Sequence, residues 1–260
     1  MNTPASTSLS VAFSGGGARG IAHLGVLAAL DELELPIGRL AGTSSGAIAG
    51  TFYAAGLPPR EILRLLLGTN ITRLTRPVFS RHGLLGLEAV EQLLARHLGP
   101  ALTFADLRLP LTLVATDLSA GESVYFSEGL LLPPLLASSA VPILYRPVQY
   151  QGRLLVDGGL LNNLPVEPLL GHGRPVVGVH CNPINPEARL PTLRRVVERT
   201  LHLAINANTA SRKALCDLLL EPPALHQYRP LDYRKAEELF EVGYCYTLGR
   251  AAELRRVAQQ

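Results

Sequence analysis

Three short stretches of this chain combine residue types that can do chemistry with spacings that can position them. In 42-GTSSG-46, Ser44 stands between glycines two residues away on either side. A strand that turns sharply into a helix leaves no room for Cβ atoms beside the turn residue. Gly42 and Gly46 therefore suit an elbow that exposes the Ser44 hydroxyl at a helix N-terminus. In isolation the same pattern also fits an ordinary serine helix cap. In 13-FSGGGARGIAHLGVL-27, Gly15, Gly16 and Gly17 follow an apolar run and open a helix-like pattern. Unhindered N–H groups at such a turn hold something negative, either a bound phosphate or an oxyanion formed during a reaction. In 157-DGGLLNNLP-165, Asp157 ends a strand-like run and Gly158 and Gly159 follow it, which also fits a plain tight turn.

The elements that must carry these residues follow from periodicity. Leu9 to Phe13 reads as a short buried strand, and from Ala18 the apolar residues recur at helical spacing to about Leu33. The run 37-IGRLAGTS-44 reads as a second strand and 46-GAIAGTFYAAG-56 as a small-residue helix. Strand, turn, helix, twice within some 55 residues, is the order of a parallel α/β sheet. Further helices are expected from Pro58–Pro59 through 60-REILRLLL-67, over 87-LEAVEQLLARHL-98 and around Leu135–Ser139. Strands are expected at Leu111–Ala115, Val124–Phe126 and Pro175–His180, with a hairpin over 146–159 turning at Gln151–Gly152. A helix from Leu193 to about Asn208, a strand at Cys216–Leu220 and one long helix from Tyr233 to Val257 complete the chain. The segment 68–86 has no clear period. No repeat or long linker divides the 260 residues, so one domain is expected, with a core over about 9–210 and a C-terminal strand and helix over about 215–257.

Composition narrows the function classes. A hydrophobic content of 47% supplies a core, and 17% charged residues argue against disorder. The net charge is only +3, and no Lys/Arg stripe interleaves with aromatics, so nucleic acid is not an expected partner. Cys181, Cys216 and Cys245 form no CxxC pair, and neither a metal site nor a cofactor site is indicated. The N-terminus lacks a signal-peptide pattern and no run is long enough for a membrane span, which points to a cytoplasmic protein.

Ser44 needs a proton acceptor. A Ser–Asp–His order is available through Asp157 with His180 or His202, but Ser44 follows only the second strand, too early for an α/β-hydrolase elbow. His23, His97 and His202 fall inside helical patterns. Asp157 at a strand end can itself reach across neighbouring strand ends, which makes it the alternative partner. The run Gly15-x-Gly17-x-x-Gly20 also matches the dinucleotide fingerprint, which expects an acid about 20 residues on, at the end of the second strand. Glu34 is near that distance but precedes the strand.

Taken in order, GGGARG (Gly15 to Gly20), GTSSG (Gly42 to Gly46) and DGG (Asp157 to Gly159) resemble the patatin-like phospholipases. These are lipid acyl hydrolases with a Ser–Asp dyad on a three-layer α/β/α fold around a mostly parallel sheet. The resemblance extends through 137-ASSAVPILYRPV-148, 162-NNLPV-166 and 239-LFEVGY-244, nearly the whole chain. It implies Ser44 as nucleophile, Asp157 as base, and an oxyanion hole from Gly15, Gly16, Gly17, Ala18 and Arg19. Gly20, Gly42, Gly46, Gly158 and Gly159 are the glycines that shape those turns. The implied reaction is metal-independent hydrolysis of phospholipid, lysophospholipid or related acyl esters through an acyl-enzyme. A non-catalytic lipid-binding module is the alternative. Burial in an apolar cleft would raise the Asp157 pKa and help it accept the serine proton. Arg19 suits bracing of the glycine loop. The Leu-rich runs 63-LRLLLG-68 and 130-LLLPPLL-136 are candidates for an acyl groove. The segment 73-RLTRPVFSRHGLLG-86, with arginines beside Phe79, Leu84 and Leu85, suits a lid or peripheral membrane contact as well as a solvated connection.

Overall fold

The computed structural model describes residues 8–68, 77–80, 83–85, 88–186 and 191–259. Four parallel pairings build most of its main sheet. Strands β1 (Leu9–Phe13) and β2 (Ile37–Gly42) pair with each other, β9 (Val176–Val179) takes the other edge of β1, and β10 (Leu218–Leu220) pairs with β9. Beyond β2 lies β5 (Leu111–Asp117), also parallel. The sheet is then completed antiparallel by β6 (Glu122–Phe126), β7 (Val148–Tyr150) and β8 (Arg153–Asp157). The order is β10-β9-β1-β2-β5-β8-β7, with β6 also on β5.

Alternation along the strands divides the core. Val11, Phe13, Leu40 and Leu113 face a large cluster with helices α1 (Ala22–Glu32), α2 (Ser45–Ala54), α3 (Pro59–Gly68) and α5 (Leu132–Ser138). Ala12 and Ala41 point to the opposite face, where Leu164, Val166 and Leu169 cover them. Every residue of β1 is buried, which is why the strand reads as a continuous apolar run. The mixed, mostly parallel α/β sheet agrees with the sequence reading, as do the hairpin turn at Gln151–Gly152, α4 (Glu88–Leu98) and the proline-led start of α3.

Four elements differ from expectation. The helix anticipated from Ala18 begins as a 3-10 turn, Gly17–Ile21, whose Ala18 N–H donates to Pro230 O, and becomes α-helical only at Ala22. Part of the aperiodic 68–86 segment forms a two-stranded hairpin of β3 (Pro77–Ser80) and β4 (Gly83–Leu85), and much of the lid or membrane segment at 73–86 lies outside the described residues. Helix α6 (Leu193–Lys213) runs a turn beyond Asn208. The single C-terminal helix expected from Tyr233 is a 3-10 turn followed by α7 (Ala236–Gly249) and α8 (Ala251–Val257). Arg250 breaks it at φ −105° and ψ 13°, and its guanidinium is held by Glu253 and by the Tyr246 hydroxyl at 2.9 Å.

Candidate active site

The sheet brings Ser44 and Asp157 together by an end-to-end meeting of two strands. Gly42 of β2 lies opposite Leu113, and Asp157 of β8 lies opposite Ala115. Strand β6 occupies β5 from Leu113 to Asp117, so β2 and β8 must share the other edge of β5. One runs parallel to β5 and the other antiparallel, and their C-terminal ends therefore converge. The residues that follow those ends are 43-TSSG-46 and 158-GGL-160.

At the end of β2 the chain turns through Ser44, which has φ 55° and ψ −123°. A non-glycine residue there is strained by about 1–3 kcal/mol and is held only when its surroundings over-determine it. They do. A Cβ on Gly42 would come within 2.7 Å of Gly46 O, and one on Gly46 within 2.5 Å of Phe13 O. The Ser44 N–H donates to the Ser138 hydroxyl at 3.0 Å, and the Thr43 hydroxyl to Asn162 O at 3.0 Å. Ser44 is 9% exposed and Asp157 6%.

Burial pushes the Asp157 pKa up to about 6, against the opposing pull of hydrogen bonds from the Ser44 side chain and the Gly159 N–H. The latter bond is 2.8 Å long. A carboxyl paired side chain to side chain with a strained serine, and titrating near 6, is positioned to take the serine proton.

The glycine loop lies alongside. An ideal Cβ on Gly15 would sit 3.0 Å from the Ser44 Cβ, so only glycine lets this backbone approach the elbow. Of the five residues that the family resemblance puts in an oxyanion hole, two spend their N–H within the protein. Gly15 donates to Asn163 O at 3.1 Å and Ala18 to Pro230 O at 2.7 Å. Gly16 and Gly17 precede the first intrahelical bonds of the 3-10 turn, and their N–H groups make none to the rest of the described protein. Gly17 holds φ +59°, with Pro230 O where a side chain would start. Arg19 is buried and donates from Nε to Tyr228 O at 2.8 Å, bracing the loop against the C-terminal segment. Beneath the loop, the Ser14 hydroxyl accepts from the Cys181 N–H at 3.0 Å, and the Asn182 amide donates to Gly15 O.

Several of these neighbours carry no chemical signature in the sequence. Ser138, Asn163, Cys181, Asn182, Tyr228 and Pro230 all touch the elbow or the loop; Ser138 and Asn163 lie in stretches that share the family resemblance, but the sequence reading assigns none of them a role. Asn163 stands out. Its buried amide crowds the places where Gly15 and Gly159 lack side chains, and its Nδ2 has no partner among the described residues. Among the described residues no histidine bonds Ser44 or Asp157, although His23 meets Ser14 O at 2.8 Å behind the glycine loop. His180 pairs with Glu221 at 2.8 Å, and His202 faces Asn182 O at 3.4 Å. Glu34 lies at the start of β2, the end of the sheet remote from the glycine loop.

Two cavities have largely apolar walls. One of about 60 Å³ is bounded by Gly17, Gly20, Ser45, Ile48, Ile62, Leu66 and Tyr233. The other, about 480 Å³, lies between α4, α5 and β7 and is lined by Leu130, Leu132, Leu136 and Val148. Both Leu-rich runs thus contribute to a cavity as well as to the core.

A sequence profile described as Patatin-like phospholipase matches residues 11–170, which hold the glycine loop, the elbow and Asp157. The chain belongs to the patatin-like phospholipase family. An uncharacterized NTE family protein of Mycobacterium bovis is 40% identical over 165 residues, 63% of this chain and 46% of that protein. Lysophospholipase nte1 of Aspergillus niger is 27% identical over 297 aligned positions, 96% of this chain and 18% of that protein. The patatin-like chain thus spans less than half the length of these relatives. Among solved structures it resembles VipD from Legionella pneumophila, with a TM-score of 0.64 at 15% identity, covering 96% of this chain and 67% of that one. It also resembles human GIVD cytosolic phospholipase A2, with a TM-score of 0.54 at 12% identity, covering 97% and 59%. At these identities the structural likeness concerns the three-layer α/β/α fold.

Proposed function

We propose that this patatin-like chain is a serine-dependent lipid acyl hydrolase that uses Ser44 as nucleophile and Asp157 as base. The observation that carries the reading is the strained Ser44 turn paired with a buried carboxyl whose pKa is near 6. As the Ser44 oxygen attacks the ester carbon, its proton passes to Asp157. The carbonyl oxygen becomes an oxyanion, received by the Gly16 and Gly17 N–H groups, and losing one such donor costs about 3–4 kcal/mol of transition-state stabilisation. Collapse of the tetrahedral intermediate expels the alcohol or lysolipid, which takes the proton back from Asp157. Water, deprotonated by the same carboxylate, then releases the fatty acid. The 60 Å³ cavity beside Ser45 suits the first carbons of an acyl chain. The similarity to a lysophospholipase supports phospholipid or lysophospholipid as the substrate class.

Labelling with an active-site-directed fluorophosphonate tests the reading. Wild type labels, Ser44→Ala does not, and Asp157→Asn labels at least about a hundredfold more slowly, on the scale of a lost general base. Equal labelling of wild type and Ser44→Ala would remove Ser44 from the role.

A further inference from the structure

Helix α6 is turned inside out. Its outward stripe consists of Leu193, Val196, Val197, Thr200 and Leu203, continued by Ala204, Ala207 and Ala210. Leu193 is 79% exposed, and Val196, Val197 and Leu203 are each more than 40% exposed. The described charged side chains of the helix are instead half-buried against the protein. Arg199 donates to Asn185 O at 3.0 Å, Arg212 to Glu167 at 2.6 Å, and Lys213 to Glu221 at 2.7 Å. A helix on a protein surface ordinarily presents the reverse arrangement. Ile184, also exposed, adds to the apolar surface beside the first half of the helix, next to the Asn185 that holds Arg199.

We propose that this face of α6 docks on an anionic phospholipid bilayer, with the helix lying in the interface plane. Three observations favour that occupant. First, the polar side of the helix is tied to the candidate site. Asn208 donates to Leu160 O, just past Asp157, at 3.0 Å, and His202 faces Asn182, whose amide holds Gly15 O. The outward face is thus tethered to the segments that frame the dyad, where a substrate leaving the membrane would enter. Second, 193-LRRVVERTLHLA-204 carries three arginines against one glutamate, a net positive charge that an anionic bilayer attracts. Third, the stripe is one helix wide. A strip about 10 Å across and about 25 Å long falls well short of the roughly 800 Å² per partner of a stable protein interface. The helix is not apolar enough to cross a membrane, so it would lie on one. The first of these arguments rests on the acyl-hydrolase reading, and the other two do not.

Co-sedimentation with vesicles of phosphatidylcholine, alone or equimolar with phosphatidylglycerol, tests the proposal. Wild type is compared with a Val197→Glu/Leu203→Glu double variant and with the milder Val197→Ser/Leu203→Ser variant. Wild type should bind the anionic vesicles, and the glutamate variant should bind at least about tenfold more weakly, the serine variant falling between. Turnover of a monomeric nitrophenyl butyrate should stay within about twofold in all three, and thermal midpoints should agree. Hydrolysis of vesicle lipid should fall in step with binding. Equal vesicle binding by wild type and the glutamate variant overturns the proposal. So does self-association of the wild type that the variant abolishes, without vesicle binding, since the face would then be a contact between copies. Vesicle binding without ester turnover would sink the hydrolase reading and leave the docking face standing. Ester turnover without vesicle binding would do the opposite.

Discussion

Ser138 decides how well the elbow is held. Its fully buried hydroxyl accepts the Ser44 N–H at 3.0 Å, at the residue whose φ of 55° is the most strained feature of the site. Ser138→Ala would leave a buried backbone N–H without a partner, a cost of about 1–3 kcal/mol, and would let the turn relax. The expected result is a lower thermal midpoint together with slower fluorophosphonate labelling, while KM for a short ester changes little. An unchanged labelling rate would show that the flanking glycines hold the turn unaided. On the proposed mechanism, Asp157 sets the pH dependence of the reaction. As a base it must be ionised, and burial places its pKa near 6, so kcat/KM should fall with unit slope as pH drops through about 6. A profile flat to pH 4.5 would exclude it as the base. That Ser44, Asp157 and the glycines would meet was legible because such close turns restrict residue type. Only glycine fits where Phe13 O or Gly46 O would meet a Cβ. The supports contributed by Asn163 O, Tyr228 O and Pro230 O were not legible, because a backbone carbonyl is the same in every residue.

At the scale of elements, the loop that faces Ser44 depends on a helix far along the chain. Pro230 O and Tyr228 O hold Ala18 and Arg19, and the segment carrying them leads into α7. Helix α7 packs on α1 through glycines on both sides. A Cβ on Gly25 would strike the Phe240 and Tyr244 backbone, and one on Gly243 would strike Ala22 O. Gly243→Val should therefore push the two helices apart, destabilising by about 1–3 kcal/mol. The push would also reach the glycine loop. Labelling measured where the variant is fully folded should be slower than wild type, and an unchanged rate would show the loop to be held independently of α7. Periodicity exposed the β1–α1–β2–α2 order because each of those elements buries a face. It missed the break at Arg250, since Gly249 and Arg250 both continue a helical pattern and only the bonds from Arg250 to Tyr246 and Glu253 mark the interruption. It also missed that α6 faces the wrong way, because an apolar stripe in the sequence does not say which side is covered.

For the whole molecule, the buried titratable groups set an acid limit that Asp157 opposes. Burial lowers the pKa of His23 to about 4, and burial with the nearby Arg19 does the same to His202. Glu221 is held at about 2 because its bonds from His180 and Lys213 outweigh its burial. The unfolded chain takes up protons at these groups before the folded one does, so the histidine contribution to stability is lost as pH falls from about 6.5 to about 4, and that of Glu221 as it falls from 4.5 to about 2. Asp157 behaves in the opposite sense. Its folded pKa lies above the ordinary 3.8, so the folded state keeps a proton that the unfolded state has released. Its contribution is complete below about 3.8 and is lost as pH rises through about 6. Ionising Asp157 above about pH 6 thus costs about 3 kcal/mol of stability, since its pKa is raised from 3.8 to about 6. Asn at this position can still accept the Gly159 N–H and carries no charge, so Asp157→Asn should be inactive yet more stable. Denaturant unfolding of both proteins at pH 4 and pH 8 isolates the effect, because the histidine and Glu221 contributions cancel between them. The stability difference should be small at pH 4 and should approach about 3 kcal/mol in favour of the variant at pH 8. A difference that does not change with pH would mean that Asp157 titrates in the folded protein as it does in the unfolded chain, and the argument for a tuned base would fail with it.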